Sequence, residues 1–213
     1  MHPINPETRR DRKKAEMQLR IMQSAMRLFR ADGFENTTME AIAEAADVAK
    51  RTLYSYFPVK ESLVSAYWLN NMRQKNDLLP LLLERYPDTR SRLSAVFLSA
   101  AEGFKAEPEF ARIHFSYQFQ QIGNSKQPPF RSDFVRFLSV AIEAGQNAND
   151  LRKDIAATEL ATQVMLNFTA ICLMWFSDSE AFSLDERLTQ TVNCFIDGVG
   201  ISQKESQGKS TDG

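Results

Sequence analysis

Apolar residues recur every three or four positions through almost the whole of this 213-residue chain, and prolines interrupt the pattern at intervals. Side chains return to one face of an α-helix with that period, whereas a half-buried strand would need a period of two. Met17, Ile21, Ala25, Leu28 and Phe29 predict a first helix from about Arg12 to Ala31, which Gly33 is placed to close. Thr38 is a plausible cap for a short second helix carrying Met39, Ile42, Ala43 and Ala46, and a third reaches Tyr56 ahead of Pro58. Lys60 opens a fourth, with Leu63, Val64, Tyr67, Trp68 and Met72 on one side, ending or bending before Pro80. Further stripes begin at Leu93, Phe110, Phe130, Leu160 and Leu184, so about nine helices and an all-α fold are expected. With eight glycines and eight prolines, the chain is poorly supplied with turn residues for an all-β alternative.

Composition narrows the functional classes. At 43% apolar and 25% charged residues the chain is ordinary globular material. Two cysteines, Cys172 and Cys194, exclude a disulfide framework or a thiol metal knuckle. The first twenty residues hold no apolar core for a signal peptide. The most hydrophobic run, Val164 to Phe176, has 13 residues, short of the roughly 20 that span a bilayer. A cytoplasmic protein with a buried helix there is expected. Residues 1–60 carry 11 Lys and Arg against 8 Asp and Glu, whereas residues 61–213 carry 15 against 19. The excess of positive charge lies where an anionic partner would be met. Within it, Arg9, Arg10, Arg12, Lys13 and Lys14 read either as a flexible arm against DNA or as a solvated tail.

The segment that carries the function is 38–57, which reads as helix, tight turn, helix. In that arrangement the second helix enters the major groove of DNA. Val48 and Leu53 are expected inside, fixing the angle between the helices, with Lys50, Arg51, Thr52, Tyr54 and Tyr56 projecting outward. Such side chains hydrogen-bond phosphate oxygens, and an arginine can also grip a guanine edge with two bonds.

Gly33-Phe34, Thr37-Thr38, Ile42-Ala43, Val48, Thr52-Leu53-Tyr54, Tyr56-Phe57, Lys60 and Leu63 stand in one ungapped register. This run resembles the tetracycline-repressor-like (TetR) bacterial regulators over about residues 12–65. Beyond it the similarity is one of architecture, including Ala144-Gly145-Gln146 leading to Leu151-Arg152. The resemblance implies a homodimer reading a palindromic operator, an effector pocket enclosed by helices four to seven, and a dimer interface built from the last two helices. Carried over by position, Thr38 caps the second helix and touches phosphate, and Lys60 contacts phosphate at the start of the fourth. Ile171, Trp175, Leu188, Val192 and Phe195 become candidates for the interface. Three positions depart from the family pattern: Asp47 replaces a common glycine in the turn, Ala49 a common serine cap, and Arg51 a residue that is often small.

Eight of the 15 phenylalanines fall between Phe97 and Phe137. Phe97, Phe104, Phe134 and Phe137, together with Trp68, Met72, Tyr117, Met165 and Phe168, can pack a core or line an apolar cavity. His114, Gln118 and Asn167 are available as polar orienting groups, and the expected effector is hydrophobic or aromatic and largely uncharged. His114 stands alone on an apolar stripe, so neither a metal nor a cofactor is expected. No acid pair, glycine-rich phosphate loop or nucleophile motif stands out, which argues against an enzyme. The expected organisation is a DNA-binding unit over 1–59, an effector and dimerisation unit over 60–201, and a disordered tail over 202–213. A ligand-responsive repressor follows; the competing reading is a helical small-molecule carrier or enzyme that binds no DNA.

Overall fold

Local chemistry sets the helix ends. Gly33, at φ +86°, donates its amide to Phe29 O (3.1 Å), closing the first helix in a conformation that costs glycine little. Thr38 accepts from Ala41 N (3.1 Å) and Asp88 from Ser91 N (2.8 Å), so both supply the first turn of their helices with an acceptor. In the computed structural model, which describes residues 9–76, 78–121 and 133–200, these signals delimit ten helices among the described residues. They are α1 (Arg9–Asp32), α2 (Met39–Ala45), α3 (Lys50–Tyr56), α4 (Lys60–Asn76), α5 (Leu79–Arg85), α6 (Thr89–Ala106), α7 (Pro108–Gln120), α8 (Asp133–Asn147), α9 (Ala157–Ser177) and α10 (Leu184–Val199).

The tenth helix is α5. The fourth helix ends before Pro80, at Asn76, as expected; what was not expected is that Pro80 sits in the first turn of a separate helix, where its missing amide is no loss. A second difference lies at the N-terminus. Arg9 to Lys14 belong to α1 instead of a flexible arm, with Asp11 in the first turn and Arg12 paired to Glu16 one turn on (3.7 Å). Residues 1–8 lie outside the described residues, as do Phe130 and the predicted tail.

One apolar core runs through the molecule. Ile21, Phe29, Ile42, Leu53, Leu63 and Val64 belong to it in the N-terminal part, and Phe97, Leu138, Val164, Leu188 and Val192 in the rest. α4 packs against both α1 and α7 and so joins the two parts. α9 is longer than the 13-residue run suggested. Its 21 residues bury Leu160, Ala161, Val164, Phe168, Cys172 and Trp175 against the core. Gly145 allows α8 to approach the start of α6, since a Cβ there would stand 1.9 Å from Thr89 Oγ1. Asp150 accepts from Thr89 N (2.7 Å), and Gln146 Nε2 donates to Arg152 O and Ile155 O (both 2.8 Å). The Ala144 to Arg152 motif is therefore a structural corner.

Candidate functional site

The helix-turn-helix is built around Asp47. Its φ of +50° supplies the left-handed residue that the turn between α2 and α3 requires, and Val48 N bonds back to Ala43 O (3.0 Å). Ala49 caps α3 in an extended conformation but gives no side-chain acceptor, which costs about 1 kcal/mol relative to serine. Leu53 is the one buried residue of α3, and Val48 packs half-buried beside it. Thr38, Lys50, Arg51 and Tyr54 are exposed. Lys50 is paired with Glu40 across the two helices (3.3 Å), and the Glu40 carboxyl is held below its ordinary range, first by its own backbone amide and then by Lys50. Thr52 is half-buried. Tyr56, expected to project freely, lies half-buried against the core with its ring 6.5 Å from that of Phe57.

Lys60 also has work within the chain. Its ammonium donates to Phe34 O (2.7 Å) and Glu35 O (3.3 Å) and lies over the Phe34 ring (4.6 Å), stapling the α1–α2 loop to the start of α4. An ammonium has three donors, so one is left for a phosphate. Sequence reasoning missed both Glu40 and this staple, since each depends on which residues meet across helices.

In the second region the expected lining residues pack on one another. Phe97 and Phe168 stand 4.6 Å apart between centroids, Trp68 and Phe104 5.3 Å, and Phe134 and Phe168 5.7 Å. All five are buried, as is Phe137, while Tyr117 and Met165 are half-buried. The side chain of Met72 lies outside the described residues. Asn167 is exposed on the outer side of α9, away from Phe168, which removes it as an interior orienting group. Polar atoms inside gather at Ser65, whose hydroxyl accepts from Gln118 Nε2 (2.9 Å) and lies 3.2 Å from His114 Nδ1. In the neutral tautomer protonated at Nε2 the serine donates to Nδ1, and in the other tautomer Nδ1 donates to the serine. Nearby, buried Trp68 Nε1 has no hydrogen-bond partner among the described residues.

Burial lowers the His114 pKa from 6.5 to about 4. As the pH falls below 6.5 the unfolded chain takes up a proton that the folded chain refuses, so stability present above pH 6.5 is lost on the way to pH 4. Urea unfolding at pH 7 and 4.5 is expected to show a loss of roughly 2–3 kcal/mol that His114→Gln does not share. An equal loss in both proteins would remove His114 as the cause.

A groove of about 320 Å³ opens beside the aromatic core, between α5, α6 and α8. Leu78, Leu81, Leu82, Arg85 and Tyr86 form one wall, Ala95, Val96, Ser99 and Ala100 the other, and among the described residues Phe137 is the one predicted pocket residue that reaches it. A second depression, of about 340 Å³, has Lys105, Glu109, Arg112, Trp175 and Phe176 among its walls.

The interface candidates divide. Leu188 and Val192 are wholly buried within the protomer, because the α10 stripe packs on α6 and α9, and Trp175 is buried too. Ile171 and Phe195 are half-buried. The outer face of α9 and α10 instead presents Leu166, Ala170, Met174, Cys194 and Gly198. Between the two regions, Arg30 Nε of α1 donates to Glu107 Oε1 (2.7 Å) and its Nη2 to the Tyr67 hydroxyl (3.0 Å), which in turn donates to Glu107 Oε2 (3.3 Å). This clasp ties α1, α4 and the α6–α7 corner together.

Comparison with known proteins agrees with this geometry. The family described as bacterial regulatory proteins, tetR family, matches residues 21–67. The transcriptional repressor KstR2 of Rhodococcus jostii (strain RHA1) is 22% identical over 189 residues, 87% of this chain and 92% of that protein. The regulator TcmR of Streptomyces glaucescens is 41% identical over 54 residues, 25% of this chain and 24% of its own. Thermus thermophilus FadR, a TetR-family repressor solved with lauroyl-CoA, superposes with a TM-score of 0.73 at 22% identity, covering 87% of this chain and 96% of that one. Bacillus subtilis FadR, solved with stearoyl-CoA, gives 0.61 at 14% identity, covering 84% and 98%.

Proposed function

We propose that this chain, a ligand-responsive transcriptional repressor of the TetR family, binds a palindromic operator as a homodimer through α3 and releases it when a hydrophobic effector occupies the helical region behind α4. One observation carries the DNA-binding part. The left-handed turn at Asp47 sets α3 so that Leu53 alone is buried while Arg51 and Tyr54 stand outward. Arg51 reads a base edge; Thr38, Lys50, Thr52, Tyr56 and Lys60 position the helix on phosphates. Lys50 exchanges Glu40 for phosphate on binding, while Lys60 offers its remaining donor.

The hydrophobic effector is supported by the apolar walls of the helical region and by the acyl-CoA complexes of the two FadR relatives. Coupling runs through α4. Its first turn is stapled to the DNA-binding loop by Lys60, its middle packs Trp68 on Phe104, and Tyr67 joins the Arg30–Glu107 clasp. A tilt of this helix changes the separation of two recognition helices that must match half-sites about one duplex turn apart. By linkage, an effector that weakens operator binding binds the DNA-free state more tightly by the same factor.

Arg51→Ala tests the reading. The exposed side chain has no structural duty in α3, so folding is expected to be unchanged. Operator affinity is expected to fall by about 1–3 kcal/mol, with discrimination relaxed at one base position. Selection from randomised duplexes by wild type and variant measures both. The same preferred sequence and affinity for both proteins would remove Arg51 from base reading.

A further inference from the structure

We infer that the groove between α5, α6 and α8 is a binding site for an anionic amphiphile, with an aliphatic chain along the leucines of α5 and an acidic head at Arg85. The inference rests on the proposed ligand-responsive role and gives the effector a sign of charge that the aromatic interior does not suggest.

Helix α5 is poorly provided for. None of its residues is buried, and Leu81 is 56% exposed, as Leu78 just before it is 55% exposed. Positions 78, 81, 82 and 85 fall on one face at helical spacing, so a row of three leucines ends in an arginine. Val96, Ala100 and Phe137 complete an apolar trough whose volume of about 320 Å³ is at the low end of the about 300–1,000 Å³ typical of small-molecule sites.

Charge identifies the occupant. Arg85 is exposed and has no acidic partner among the described residues; its guanidinium lies 5.8 Å from the centroid of the Tyr86 ring. The backbone that follows α5 is held by a buried cation that does not line the groove. Arg92, 7% exposed, donates to Tyr86 O (2.9 Å) and Pro87 O (3.0 Å), and its Nη1 has no partner among the described residues. Glu84, the acid beside Arg85 in sequence, is exposed and is not part of the groove wall, and Asp88 is occupied in capping α6. A trough with a cation at one end and hydrocarbon along its length matches a molecule with one acidic end. A neutral aromatic ligand would leave the Arg85 guanidinium unused, and a cationic amphiphile would be repelled.

Calorimetric titration with dodecanoate, decanoate and dodecyltrimethylammonium, each below its micellar concentration, tests this on wild type, Arg85→Gln and Leu81→Ser. Both substituted positions are exposed, so the fold is preserved. Dodecanoate is expected to bind, about fourfold more tightly per added methylene that enters the groove. Arg85→Gln and Leu81→Ser are each expected to weaken it roughly 3- to 10-fold, and the ammonium surfactant is expected not to bind. The coenzyme A thioester of dodecanoate forms a parallel arm: whichever form binds more tightly identifies the source of the negative charge. Equal binding in all three proteins, or equal binding of the cationic surfactant, overturns the proposal. So does a change of oligomeric state in ligand-free Leu81→Ser, since the groove would then be covered by a second copy. Operator affinity of the same preparations separates the two readings. Specific DNA binding without amphiphile binding defeats this inference alone, whereas absence of any operator preference defeats the repressor assignment.

Discussion

Met174→Asp is expected to convert the proposed homodimer to monomers and to weaken binding to a palindromic operator by about 10²- to 10⁴-fold. Met174 is 59% exposed on the outer face of α9, with Leu166 at 43% about two helical turns away and Cys194 exposed on α10. Its side chain contributes little to the protomer core, so the variant keeps its helices. Burying a carboxylate without a partner against a second copy is costly. Once the halves separate, each α3 binds its half-site independently, and the gain from joining two sites is lost. Sedimentation measures the first effect and titration of a two-half-site duplex the second. A variant that remains dimeric would place the interface elsewhere. The contrast is Leu188→Asp, which is expected to prevent folding because Leu188 is wholly buried in its own protomer.

Phe97→Ala is expected to destabilise the fold by about 3–5 kcal/mol. Phe97 has no exposed surface, and its ring stands 4.6 Å from Phe168 and 6.5 Å from Phe134. Truncation removes the transfer energy of the ring and leaves a void that its neighbours fill only in part. Against the about 5–15 kcal/mol total stability of ordinary domains, this is a large share. The midpoint of urea unfolding measures it. A loss under 1 kcal/mol would show that the aromatic cluster repacks freely and that the interior is loosely held. Such a void would be dry and apolar, so benzene is expected to bind and recover part of the loss.

Much of the DNA-binding region was legible because its determinants are local. Thr38, Gly33 and Asp47 act on backbone groups within four residues of themselves; Thr38 and Gly33 were recognisable from residue type and spacing, and the turn position of Asp47 from the family resemblance. Leu53 followed from periodicity, and the missing cap at Ala49 from the absence of a side-chain oxygen. Where the outcome depended on how one helix meets another, sequence reasoning went less far. Tyr56 had the same period as Thr52 and gave no sign that its ring would turn toward the core. Lys50 and Lys60 read as free cations, but their partners Glu40, Phe34 and Glu35 lie 10 to 26 positions away. Arg30 and Glu107, separated by 77 positions, left no joint signature at all.

The stripe Leu188, Val192 and Phe195 illustrates the limit. A repeating apolar face shows that something covers a helix, but hydrophobic burial has no direction that distinguishes the same protomer from its twin. Packing on α6 and α9 decided for the protomer and left Leu166, Met174 and Cys194 outside. The aromatic residues behaved similarly: composition could mark them as core or cavity, and only their mutual distances showed a filled interior with the groove displaced to α5. By itself, then, the order of residues determined the helices, their caps and the recognition turn, since these are settled by hydrogen bonds and steric preferences over a few positions. The tertiary structure decided which faces were spent on the core, which charges were already paired, and where space remained, since those depend on close packing between segments far apart in the chain.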